Sequence, residues 1–200
     1  MTKQELADRI KQIINISKLL ITSSNKLKEL HDKYLPQTVL DRQKYKTSEI
    51  SLLIRFLHCT FYYEVLLNLN TLLNPLQNNP DKKEQSIFEL IEFDTDKNRK
   101  KSLLVTGNSF RKKLEEKNLH KWRNKFVGHK DIDDAGDTEA MYLNFIKSEF
   151  INCTNELLEN IDKFIIDNYD VCYNNRFVGL YSKSFERLFA WFEDELKIKN

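Results

Sequence analysis

The chain carries an arginine, an amide and a histidine close together near its middle. Arg123, Asn124 and His129 belong to the segment W-R-N-K-F-V-G-H-K-D. Histidine titrates near neutral pH, so it can take a proton from a ribose hydroxyl or donate one to a leaving oxygen. Arginine can bind a phosphate with paired donors. These residue types therefore suffice for cleavage of RNA without a metal ion or another cofactor.

In the reaction that this chemistry predicts, the 2′-hydroxyl of RNA attacks the adjacent phosphorus. Arg123 binds the scissile phosphate and stabilises the pentacoordinate phosphorane, His129 moves the proton, and Asn124 orients the histidine or the phosphate by hydrogen bonds. The product is a 2′,3′-cyclic phosphate, and DNA is spared because it lacks the attacking hydroxyl. These three residues are the predicted catalytic set.

The spacing of this set matters if the segment is helical. Six positions at about 100° each leave Arg123 and His129 roughly 120° apart around an ideal helix. The two side chains share a surface only if the long arginine leans over or Gly128 loosens the turn. Gly128 has a second interpretation, the close approach of another backbone, and the sequence does not separate the two.

At these residues the sequence resembles the HEPN superfamily (higher eukaryotes and prokaryotes nucleotide-binding). The mark of that superfamily is an arginine, commonly followed by a polar residue, and then a histidine after a short spacer; Arg123, Asn124 and His129 fit it. The longer string is most similar to the abortive-infection branch, where a small residue precedes the histidine and an acidic residue follows it. Gly128 and Asp131 occupy those two positions.

The resemblance implies a helical bundle that forms a homodimer, with two copies of the motif facing one another to form a composite RNA-cleaving site. It also implies a toxin of the abortive-infection or anti-phage defence type, which an antitoxin or another defence protein would accompany. Two alternatives stay open. One is a catalytically inactive HEPN-like module that binds RNA or nucleotide or regulates a partner. The other is a helical protein-interaction scaffold that uses its aromatic C-terminal helix.

Positive charge is local in this chain, because the formal net charge is only +2. Contact with RNA is therefore predicted to be local as well, and Lys121, Lys125 and Lys130 are its predicted RNA-binding residues. Further basic residues occupy the same third of the sequence, and they indicate either one contact surface or a solvated helix face. They are Lys97, Arg99, Lys100, Lys101, Arg111, Lys112, Lys113, Lys117 and Arg123.

His58 is a second histidine that could act as a ligand or in catalysis. It lies among Phe56, Leu57, Phe61 and Tyr62. A buried histidine that is hydrogen-bonded to a neighbour explains this setting better than a ligand does.

Composition predicts the fold class and the compartment. Four glycines and three prolines among 200 residues are too few for the many reversals of a β-protein, so we expect an all-α fold. No composition shift divides the chain, which predicts one domain over residues 1–200. Three widely spaced cysteines and the absence of a signal peptide or an apolar run of membrane-spanning length predict a cytoplasmic protein without membrane contact.

Apolar residues recur at helical spacing, and they predict an antiparallel up-and-down bundle with an extra C-terminal helix. The first helix begins at Thr2 and ends by Pro36, and the second runs from Thr47 or Ser48 to Leu73. Ser86 starts a short helix. Further helices pass through Leu103 to Leu114, from Thr138 to Ile165, and from Leu180 to Leu196, with residues 169–178 irregular.

Overall fold

The computed structural model describes residues 1–34, 49–74, 85–116, 148–171 and 176–198. The described residues form helices and no strand, so the predicted all-α fold class is confirmed. The helices are α1 (Lys3–Tyr34), α2 (Glu49–Leu72), α3 (Ile87–Glu92), α4 (Lys97–Glu116), α5 (Ser148–Asn168) and α6 (Arg176–Ile198).

The beginnings of two helices follow from capping residues. Thr2 and Glu5 form a reciprocal capping box: the Glu5 amide donates to Thr2 Oγ1 at 3.2 Å, and the Thr2 amide donates to Glu5 Oε2 at 2.8 Å. The Ser86 hydroxyl accepts from the Glu89 amide at 3.2 Å and caps α3. Both predicted starts are confirmed.

Two other starts differ from the expectation. The sequence predicts a charged break over residues 94–98, but α4 already begins at Lys97. Asp96 Oδ1 accepts from the amides of Asn98 and Arg99 and caps this helix. Helix α6 begins at Arg176, inside the stretch that the sequence predicts to be irregular. A glycine within a helix costs only about 1 kcal/mol, so Gly179 does not prevent helix formation there.

The described chain divides into two compact units. The first comprises residues 1–17 and 65–173, and the second comprises residues 18–64 and 174–200. Helices α1 and α2 each contribute residues to both units. The single-domain assignment stays a prediction.

In the first unit, α5 runs antiparallel to both α1 and α4. The Gln4 amide group donates to the Asp170 carbonyl at 2.7 Å, while Lys11 pairs with Asp162 further along both helices. On α4, Arg99 donates to the Asn168 carbonyl and Lys113 pairs with Glu156. The core residues of α5 are Ile151, Leu157, Leu158, Ile161, Phe164 and Ile165.

The second unit joins the C-terminal part of α1, the N-terminal part of α2 and α6. Its core is the cluster Leu27, Leu30, Ile54, Phe61, Phe192 and Leu196. Phe61 and Phe185 meet edge to face with their ring centroids 5.2 Å apart. The apolar residues Leu53 of α2 and Leu180 of α6 take no part in this core and are exposed.

Candidate functional site

All six predicted site residues lie outside the described residues. Arg123, Asn124 and His129, the predicted catalytic set, fall within residues 117–147, and so do the RNA-binding lysines Lys121, Lys125 and Lys130. Their mutual geometry therefore stays a prediction. The described element that adjoins them is α4, whose last residue, Glu116, directly precedes this stretch.

Helix α4 is anchored on one face. Its buried residues are Leu103, Gly107, Phe110 and Leu114, which recur at three- and four-residue steps. Gly107 lies against α3, because a Cβ built there would be 3.2 Å from Phe88 Cε1. Phe110 meets Phe164 of α5 edge to face at 5.7 Å. The opposite face of α4 is therefore left to solvent.

The basic residues of α4 divide into two groups by their partners. Several are paired with carboxylates of the first unit, which neutralises much of the positive charge that the sequence concentrates here. The pairs are Arg99 with Asp94 at 3.7 Å, Lys100 with Glu92 at 2.7 Å, Arg111 with Glu115 at 2.9 Å, Lys112 with Glu116 at 3.6 Å and Lys113 with Glu156 at 3.4 Å. Lys97 and Lys101 form no ion pair with any described residue.

A cluster of donors around the Asp94 carboxylate was not anticipated from the sequence. The Asp94 side chain is only 6% exposed, and it lies 3.3 Å from Lys3 Nζ, 3.7 Å from Arg99 Nε and 3.4 Å from the Tyr169 hydroxyl. Burial raises the pKa of the Tyr169 hydroxyl, and the neighbouring Asp94 carboxylate raises it further. Tyr169 therefore stays protonated and donates to the carboxylate.

This cluster joins the beginning of α1, the turn before α4 and the end of α5 within the first unit. Lys3 also lies over the Tyr169 ring, 5.1 Å from its centroid. The carboxylate is surrounded by donors and closed to solvent, so its role is to position these three elements. No local sequence signal could have identified it, because its members are far apart in the chain.

In the second unit, a histidine and a serine lie at hydrogen-bonding distance. Ser24 Oγ is 2.6 Å from His58 Nδ1, and the two residues are 0% and 1% exposed. Burial lowers the pKa of His58 to about 4, although the hydrogen bond with the Ser24 backbone opposes this shift. A substrate cannot reach this pair, and the neutral imidazole is a weak base at pH 7. The structural interpretation of His58 is confirmed.

Tyr62 completes this polar cluster between α1 and α2. Its hydroxyl donates to Asn25 Oδ1 at 3.2 Å, and its ring meets the His58 imidazole at 5.1 Å between centroids. Burial raises the pKa of Tyr62, so the hydroxyl remains a donor.

Within the described ranges, no group of histidine, cysteine, aspartate and glutamate side chains could hold a metal ion. None of the helices in those ranges is long and apolar enough to cross a membrane. Comparison with known proteins found no matching family model, no similar curated protein and no similar solved structure.

Proposed function

We propose that this protein is a metal-independent endoribonuclease of the HEPN type, acting as a toxin in anti-phage defence. The observation that carries the proposal is the motif segment, residues 121–131, in which Arg123, Asn124 and His129 occur with flanking residues similar to the abortive-infection branch. The all-α fold class agrees with the helical bundle that this resemblance implies.

The chemistry assigns one task to each residue. Arg123 binds the scissile phosphate and stabilises the charge that develops on it. His129 transfers the proton between the 2′-hydroxyl and the leaving oxygen, which contributes about 100-fold or more to the rate in comparable general acid–base catalysis. Asn124 positions one of these partners, and Lys121, Lys125 and Lys130 bind neighbouring phosphates.

The test is incubation of the purified protein with total RNA in EDTA, beside the variants His129→Ala and Arg123→Ala. We expect the wild type alone to cleave RNA and to leave 2′,3′-cyclic phosphate ends, while a DNA strand of the same sequence stays intact. His120→Ala is the matched control, because it removes a histidine near the motif but outside it. It should cleave as the wild type does.

Two results would contradict the proposal. If the wild type leaves RNA intact, or if both variants cleave as well as the wild type, the catalytic assignment is wrong. RNA that is bound and left uncut would instead identify the inactive RNA-binding module. A toxin role further predicts that expression of the wild type arrests bacterial growth and that expression of His129→Ala does not.

The composite site requires two copies of the chain. We therefore propose a homodimer, which sedimentation measurements of the wild type should show at the concentrations used for cleavage. Full activity in a protein that sediments as a monomer would contradict a site shared between two copies.

A further inference from the structure

The outer face of α4 carries a stripe of polar side chains that take no part in the core. The stripe, here called the lysine stripe, consists of Lys97, Lys101, Asn108 and Lys112, all exposed. At about 100° per residue these four positions fall within an arc of roughly 60°. They therefore face one direction, opposite to the buried face of Leu103 and Phe110. The exposed Glu115 lies in the same arc, and its carboxylate is paired with Arg111 at 2.9 Å.

The charges of the lysine stripe are available to a partner. Lys97 and Lys101 pair with no described carboxylate. Lys112 is 76% exposed, and its contact with Glu116 is long, at 3.6 Å, with Glu116 itself 60% exposed. Such an exposed pair contributes little to stability, so a phosphate can displace Glu116 at little cost. The remaining basic residues of α4 have closer or less exposed carboxylate partners, so their charges are less available to a partner.

The geometry of the stripe fits an extended polyanion. Lys97 and Lys101 are one helical turn apart, a rise of about 6 Å, which is close to the spacing of consecutive phosphates in an extended single strand. From Lys97 to Lys112 the stripe is about 22 Å long. Two apolar residues flank the stripe: Leu104, which is half-buried, and Val105, which is 66% exposed. They offer little apolar area to a membrane or to an apolar protein surface.

We propose that the lysine stripe is a binding track for the phosphate backbone of single-stranded RNA. This inference rests on the proposed function, since Glu116 at the end of α4 directly precedes the stretch that holds the predicted catalytic residues. Lysine contacts to phosphates carry no sequence information, so the track raises affinity for RNA of any sequence.

The experiment measures binding separately from cleavage. All proteins carry His129→Ala, and the probe is fluorescently labelled poly-uridine, whose anisotropy reports binding between about 50 and 200 mM salt. The test variant combines Lys97→Gln, Lys101→Gln and Lys112→Gln. The matched control combines Lys26→Gln, Lys163→Gln and Lys183→Gln, which removes the same charge from exposed positions on other helices.

Each lost phosphate contact to a single strand lowers the slope of log affinity against log salt by about 0.7. We therefore expect the test variant to lose about 2 from this slope and to bind on the order of tenfold more weakly at moderate salt. The control should match the His129→Ala parent within about twofold. Unchanged circular dichroism spectra establish that both triple variants are folded.

Equal weakening in the two triple variants would show a general effect of net charge and overturn the track. So would the absence of binding by the parent, or equally tight and stripe-dependent binding of poly-glutamate, which would identify an acidic protein as the partner. The failure of each proposal is distinguishable. If RNA binding depends on the stripe but the wild type does not cleave RNA, the binding track is retained and the nuclease proposal is refuted. If the wild type cleaves RNA but binding does not depend on the stripe, the nuclease proposal is retained and the binding track is refuted.

Discussion

Acidification should destabilise this protein through His58, which is buried as a neutral imidazole in the second unit. Its pKa is lowered from 6.5 to about 4 in the folded state. Because the unfolded chain binds a proton near pH 6.5 and the folded chain does not, the folded state loses stability as the pH falls through this window. Above pH 6.5 the contribution of the neutral imidazole is fully present.

The size of this loss follows from the difference in pKa. One pKa unit corresponds to about 1.4 kcal/mol, so full protonation costs the folded state about 3 kcal/mol. About 2 kcal/mol of this should already be lost between pH 7 and pH 5. Among the charged groups that act on the imidazole, Lys28 and His31 lower the pKa and Asp32 raises it. Each of these effects is smaller than that of burial.

The assay compares urea unfolding of the wild type with that of His58→Asn at both pH values. Asparagine keeps a side-chain hydrogen-bonding group near the position of Nδ1, so it can contact Ser24 without titrating. Other groups titrate in both proteins, and the difference between the two pH dependences therefore isolates His58. In the same samples, the NMR resonances of the His58 ring report its protonation directly, even if the variant does not fold.

The reasoning would be refuted by a difference below about 0.5 kcal/mol between the two pH dependences, which is within the usual effect of a surface substitution. It would equally be refuted if the His58 ring titrated near its ordinary pKa of 6.5. Either result would mean that water or an anion reaches the imidazole in the folded state.

Three further substitutions test the packing of the described helices by urea unfolding. Asp162→Asn should lower the free energy of unfolding by about 3 kcal/mol, because it leaves the partly buried Lys11 ammonium without its carboxylate. Adding Lys11→Met should restore most of this stability, and a loss that persists in the double variant would implicate other contacts. Gly107→Leu should lower it by at least about 2 kcal/mol, since even a Cβ there meets Phe88 at 3.2 Å, and an unchanged value would mean that α3 can move away. Gly179→Ala, with nothing within 4 Å, should raise it by up to about 1 kcal/mol, and destabilisation would contradict the helical backbone at this position.

Local signals in the sequence were sufficient to predict where α1 and α3 begin. The capping box of Thr2 with Glu5 and the Ser86 cap act through neighbouring residues, and each lies at the beginning of a helix in the structure. Burial of His58 was likewise predicted from its apolar neighbours. Such features depend on contacts within a few residues, which the order of side chains already contains.

The candidate site depends on the sequence in a different way. Residue types and spacing were enough to identify Arg123, Asn124 and His129 as a set capable of RNA cleavage. Whether the arginine and the histidine face the same RNA depends on their angular positions around the helix and on a second copy of the chain. Spacing in the sequence alone does not determine this. Their joint function therefore remains a proposal that the variants above test.

Only the tertiary structure decided which charged side chains form ion pairs within the protein. The sequence shows one basic run in α4, yet Lys100 pairs with Glu92 while Lys101, the next residue, faces solvent. The pairing of Asp94 with Lys3 joins residues 91 positions apart. Ion pairs of this kind arise when helices dock, so the distribution of charge over the surface is a property of the packed chain and not of the order of its residues.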